Sequence, residues 1–359
     1  MGGVISLFDR KPLALKGSEK AAAEIAQKRP EHETHLTQRP DHVKPYLMKH
    51  MDELIFAEFS PEYLARNKLK DDFSGVPIPL RKEDVEAFNS PGGLKSNILA
   101  ENMARVLGID PTFKYRETYV PFIEFLFGQK AVDNITRKAK GMAEEENIEE
   151  ACIYFRAALV LKFNDLPAMY GYSRALRTMY DEGKKEDYVG NLKAEALSYL
   201  EMITEFYPRF DMAWYYLGYM YLNLGLYMKA KLAWDHYLKY GRVAKDRREI
   251  RKRLAQLQDP IEIEKGCNAV MSGRWSKGLK ILEEYKNSRF NDWWPMWYYL
   301  GVSYARTDKE DEAIKAFKQA LKLSPRHIES MEELVELYNA RGERANAKKY
   351  RDKLVLIKG

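Results

Sequence analysis

The sequence predicts an all-α fold, a solenoid of helical hairpins with about six units and an α-helical N-terminal extension. Three observations predict it. One set of positions recurs down the chain at the length of a helix–turn–helix unit, about 34 residues. Within each set the apolar residues fall three and four apart, the period of a helix, and no stretch sustains the period-two alternation of a strand. The 359 residues also suffice for a long array, which grows linearly and needs no single large core.

Residues 1–44 carry the least pattern and are expected to be flexible or partly helical. Ser18 can cap a short helix that Pro30 ends. Pro30, Pro40 and Pro45 break a polar stretch that reads as a linker. Residues 45–110 read as a helical region. Leu47, Met48, Met51, Leu54 and Ile55 restore an apolar face there. Ser60 and Pro61 form an N-cap and a first helical residue. Residues 71–81 read as a loop, and 83–88 and 94–107 as helices around a turn at 90–93. Residues 115–129 form an aromatic helix with Tyr119, Phe122, Phe125, Leu126 and Phe127. The segment 111–131 is the expected cap, because the end of a solenoid has no neighbour for its apolar face.

The array itself is assigned to 132–359. Its strongest unit holds Trp297, Leu300, Gly301 and Tyr304, then Ala313, Phe317, Ala320 and Pro325. Trp297, Leu300 and Tyr304 form one helical stripe. Gly301 permits a close helix crossing, Phe317 fills it between Ala313 and Ala320, and Pro325 stops the second helix. Trp214, Leu217, Gly218, Tyr221, Ala230 and Trp234 repeat the set earlier, and Met331, Leu334, Tyr338 and Ala347 repeat it later. Gly266, Gly278, Leu282 and Tyr285 mark another unit. Met169, Tyr172, Leu176, Ala196, Leu200 and Pro208 mark one with about eleven extra residues between its helices. Met142, Ala151, Phe155 and Ala158 mark the first. Three of the six lack the aromatic of the first helix.

This pattern resembles the tetratricopeptide repeat (TPR) over about two thirds of the chain. The resemblance implies a superhelix whose first helices line a concave groove that holds peptides. By position, the groove would take Arg137, Lys140, Arg174 and Arg177 from the first two units. It would take Tyr215, Tyr219 and Asn223 from the third, Tyr298 and Arg306 from the fifth, and Glu332, Glu336 and Asn339 from the last. The groove is thus expected to run from basic through aromatic to acidic. Aromatic and Arg side chains are the types that anchor interfaces. Family members that clamp a chaperone's C-terminal carboxylate use Lys and Asn at paired positions. Here those positions hold Tyr215 and Tyr219, Ile263 and Cys267, and Tyr298 and Val302, which cannot form that clamp.

Charge adds a second feature. Lys and Arg number 59 against 53 acids, a net +6 that lies in the repeat region. Residues 245–253, KDRREIRKR, hold six bases and fall in a basic insertion near 243–258, read as an extra helix that Pro260 ends. The primary expectation is a scaffold that binds a protein or peptide. The alternative is a nucleic-acid-associated regulator that uses this segment and the basic end of the groove.

Catalytic chemistry is not legible, and no enzyme activity, cofactor or metal is expected. His32, His35, His42 and His50 cluster within nineteen residues, but their segment is broken by proline and holds no cysteine. Gly92, Gly93, Lys95 and Ser96 lack the spacing of a phosphate loop. Cys152 and Cys267 are too few for a disulfide framework. No run is long and apolar enough for a membrane span, and a cytoplasmic location is expected. Gly2 and Ser6 match a myristoylation pattern that is too short to discriminate.

Overall fold

In a computed structural model, residues 35–67, 70–90, 93–182 and 186–358 are described. Ser18, Pro30, His32, Gly92 and the Gly2 pattern lie outside them. The chain divides into two compact units, Met1–Ala213 and Trp214–Gly359. Helices dominate both.

The first unit opens with α1 (His35–Gln38), α2 (Lys44–Leu47), β1 (Ile55–Ala57), α3 (Pro61–Asn67), α4 (Lys70–Phe73), β2 (Ile78–Leu80) and α5 (Asp84–Asn89). The 71–81 stretch is therefore not all loop. β2 pairs antiparallel with β1, Ile55 opposite Leu80 and Ala57 opposite Ile78. Every residue of β2 is buried, so this three-residue strand shows no alternation to read. α6 (Ser96–Ile109) and α7 (Arg116–Phe127) follow. Then come two helical hairpins, α8 (Ala131–Glu144) with α9 (Ile148–Leu161) and α10 (Leu166–Glu182) with α11 (Glu186–Phe206).

The helix laid most closely on the first hairpin is α6, not the 111–131 segment. Gly108 makes this possible: a Cβ there would stand 2.0 Å from the Ile153 carbonyl oxygen. α7 turns its aromatics elsewhere. Phe122 packs edge-on to Phe73, and Tyr119 donates to the Pro77 carbonyl at 2.5 Å.

Residues 35–44 are docked rather than flexible. Leu36 and Val43 are buried. Asp41 accepts from the backbone N–H of Val43 and Lys44 and pairs with Arg156, whose side chain is fully buried. Arg156 also donates to the Gly108 carbonyl and the Tyr172 hydroxyl. A second buried cation, Arg105, binds Glu150 through Nε at 2.9 and 3.0 Å and Glu53 at 2.5 Å. Two ion pairs thus tie residues 41–53 to α6 and α9. A buried guanidinium needs an anion and further hydrogen bonds, and Arg105 and Arg156 each have both.

α12 (Asp211–Asn223) carries the boundary between the units. The second unit continues through α13 (Tyr227–Tyr240), α14 (Ala244–Gln256), α15 (Gln258–Met271), α16 (Trp275–Glu283), α17 (Trp294–Ala305), α18 (Glu310–Leu323), α19 (Ile328–Ala340) and α20 (Arg344–Lys358). Hairpins form from α15 with α16, α17 with α18, and α19 with α20. Gly218 faces Trp234, and Gly301 faces Phe317, where a Cβ would meet the ring at 2.6 Å. Five described turns between consecutive helices each hold one left-handed residue: Glu146, Gly225, Gly273, Asp308 and Gly342. α14 is the extra helix. Pro260 does not end it; the proline sits buried in the first turn of α15, where its missing N–H has no helical partner to lose.

Candidate partner-binding surface

On α12, residues four apart share a face. Leu217, Gly218 and Tyr221 take the packing face and are buried. Tyr215 and Tyr219 are half-buried on another. That face is covered by the chain itself. The Tyr219 hydroxyl donates to Glu249 of α14 at 2.6 Å, and the Arg253 guanidinium lies 4.9 Å from the Tyr219 ring centre. Tyr219 also meets Trp234 and Tyr215 edge-on, and Tyr215 meets Tyr237. Burial and the Glu249 hydrogen bond push the Tyr219 hydroxyl well above its usual range. Asn223 is exposed at the end of α12.

α14 is held from within. Ile250 is fully buried with Trp234 and Tyr237. Arg247 donates to the Leu238 carbonyl in the last turn of α13 and to the Gly241 carbonyl just beyond it. Lys245, Arg248, Arg251 and Lys252 remain exposed. In the sequence the charge of this segment hides its attachment through Glu249, Ile250 and Arg253. The signal was Ile250, Leu254 and Leu257, an apolar stripe at steps of four and three.

On α17, Tyr298 is half-buried against Tyr299, Phe317 and His327, with ring centres 5.1, 6.0 and 4.9 Å away. Its hydroxyl makes no hydrogen bond among the described residues. Burial, with the negative field of Glu333, Glu329 and Glu332, raises it to about 12. Those carboxylates lie on α19. Burial raises Glu333, Arg306 at 3.9 Å opposes the rise, and Glu336 and Glu332 add to it. Arg306, Glu332, Glu336 and Asn339 are exposed. The structure therefore brings Tyr298, Arg306, Glu332 and Glu336 within one electrostatic neighbourhood.

The basic residues lie in the first unit. Arg137 and Lys140 are exposed on α8, and Arg137 bonds Asn134 at 3.3 Å. Arg174 is exposed with its guanidinium 5.9 Å from the Tyr170 ring centre, and Arg177 hydrogen-bonds Tyr180. The twelve residues thus fall in two sets, four in the first unit and eight in the second.

Other candidates resolve into structure. Ile263 and Cys267 are core residues, as a lost carboxylate clamp requires. Burial pushes both thiols up to about 12, so neither is poised for reaction. His50 bonds Glu149 at 2.7 Å, and His35 packs on Tyr199. His50, Glu53 and Glu150 converge within 4.8 Å, but Arg105 binds both carboxylates. No described helix is long and apolar enough to cross a membrane.

Helical hairpins stacked one after another along the chain define a helical repeat protein. Residues 295–327 match the family described as Tetratricopeptide repeat. Residues 295–327 thus form a tetratricopeptide repeat, and the helical hairpins on either side of it pack in the same way. No curated protein matches it. Among solved structures it is similar to a tetratricopeptide repeat protein from Parabacteroides merdae ATCC 43184, at 14% identity over 72% of this chain and 93% of that one, TM-score 0.31. PilF of Pseudomonas aeruginosa aligns at 12% identity over 63% and 90%, TM-score 0.30. MamA from Desulfovibrio magneticus RS-1 aligns at 15% identity over 65% and 97%, TM-score 0.23. Similarity at this level says nothing of function.

Proposed function

We propose that the chain is a scaffold that holds a peptide or protein partner on the first-helix faces of its repeats. Tyr298 is the centre, with Arg306, Glu332, Glu336 and Asn339 around it. Tyr215, Tyr219 and Asn223 contribute a second aromatic patch, met by the partner together with Glu249 and Arg253 of α14. Arg137, Lys140, Arg174 and Arg177 contribute a basic surface on the first unit. A cytoplasmic location goes with this reading, because Cys152 and Cys267 are free thiols.

One observation carries it: Tyr298 keeps a half-buried ring and an unbonded hydroxyl on a helix whose other face, Leu300, Gly301 and Tyr304, is fully packed. Nothing favours the nucleic-acid alternative. The test is affinity capture from the native source, then titration of the identified partner. Tyr298→Ala should weaken binding by about 2 kcal/mol or more and leave the melting temperature within a degree or so. Normal binding with early melting would make Tyr298 a core residue. Binding through this face should change little with salt, whereas nucleic-acid binding would weaken steeply.

A further inference from the structure

α14 offers a row of cations that form no ion pair with any described carboxylate, although Lys245 acts through space on Glu249. Lys245, Arg248 and Lys252 follow one another at steps of three and four, so they share one face of the helix. Arg251 stands beside them. All four are exposed, and none forms an ion pair with a described carboxylate. The helix cannot turn the row inward, because Ile250, Glu249, Arg253 and Arg247 fix its other side. A row held in this way loses little freedom on binding.

α19 carries the complement. Glu329, Glu332 and Glu336 follow the same steps of three and four and are exposed. Each row spans about 10 Å at the helical rise. Glu336 has no ion pair among the described residues. Among the described residues Glu332 pairs with the exposed Lys358 at 2.7 Å and Glu329 with His327 at 3.2 Å, and neither has another ion pair. Exposed pairs of that kind contribute little and exchange readily. Both rows lie in the second unit, yet no ion pair joins them.

We propose that the α14 row of one copy of this chain seats against the α19 row of a second copy. The occupant is a second copy because the two rows are opposite in sign and equal in length and spacing. The contact is electrostatic and exposed, so it is weak and sensitive to salt. In a closed two-fold dimer each copy gives both rows and the contact is made twice. The inference rests on the scaffold reading only in sharing Glu332 and Glu336 with the proposed partner face.

Sedimentation of the full chain tests it, at about 0.05 M and about 0.5 M salt. At low salt the average mass should rise above 41.9 kDa with concentration and fall back at high salt. Arg248→Glu with Lys252→Glu should remain monomeric. So should Glu332→Lys with Glu336→Lys. An equal mixture of the two variants should associate again, because every facing pair is then opposite in sign. Circular dichroism should show both variants as helical as the parent. A parent chain that stays at the monomer mass at low salt overturns the proposal. So does association that either reversal leaves unchanged, or a mixture that fails to associate. The Tyr298→Ala binding test is independent, so failure here leaves the scaffold reading standing.

Discussion

Gly301 sets a helix crossing by what it lacks. A Cβ there would press on the Phe317 ring, so Gly301→Leu should destabilise by about 1–3 kcal/mol or more. Gly273→Leu strains a left-handed turn with open space around it and should cost less. Equal melting temperatures for the two variants would refute the crossing. Asp308 occupies the same kind of turn with a Cβ, and Asp308→Gly should raise the melting temperature by the equivalent of about 1 kcal/mol or less. Gly301 and Phe317 were legible because both sit inside one repeat unit. Asp41 and Arg156 were not, since 115 residues separate them. Asp41→Ala should destabilise by about 3–5 kcal/mol, because it leaves a buried guanidinium without its anion. A loss well under 1 kcal/mol in a denaturant titration would mean that Arg156 reaches water when freed.

α14 shows how an element can be read for the wrong face. Its six bases announced it, while Ile250, with Glu249 and Arg253 beside it, attaches it. Ile250→Ala should cost about 2–5 kcal/mol and should remove amide-exchange protection from 244–256 first. Unchanged protection there would mean that the Tyr219–Glu249–Arg253 contact holds the helix alone. At the other end of the chain, the segment around α2 is pinned by Tyr46, Lys49 and His50 on Glu149. The His50 hydrogen bond holds Glu149 down at about 2, from an ordinary 4.5, and the same bond raises His50 above 6.5. The carboxylate's contribution is complete above 4.5 and is lost as pH falls toward about 2. The histidine's contribution is complete below 6.5 and is lost as pH rises through its raised value. Protection of 44–50 should therefore peak between 4.5 and 6.5. A profile that climbs steadily through neutral pH would show that His50 plays no part.

Across the whole molecule, repeats touch their neighbours and little else, so damage should stay local. Gly301→Leu should raise amide exchange in 294–323 and leave 96–161 near its parent values. A uniform rise over the entire chain would mean that the units unfold as one. Far-ultraviolet circular dichroism should be almost wholly helical, because β1 and β2 span three residues each. Substantial sheet signal would contradict the fold.

The sequence alone determined the repeat, its helix pairs and the packing face of each first helix. These depend on contacts within about 34 residues, and such contacts write a period into the chain. Within those limits it also set Tyr215, Tyr219 and Tyr298 apart from the stripes of Leu217, Gly218 and Tyr221 and of Leu300, Gly301 and Tyr304, although all three rings are half-buried against Trp234, Tyr237 or Phe317. The tertiary structure alone decided what lies against them. Tyr219 is already bonded by α14 while the Tyr298 hydroxyl has no hydrogen bond among the described residues, and nothing in the local pattern separates the two. It also decided that α6, not the aromatic helix, closes on the first hairpin, and that residues 35–44 dock. Those outcomes rest on single glycines and on ion pairs between residues far apart in sequence, which leave no periodic trace.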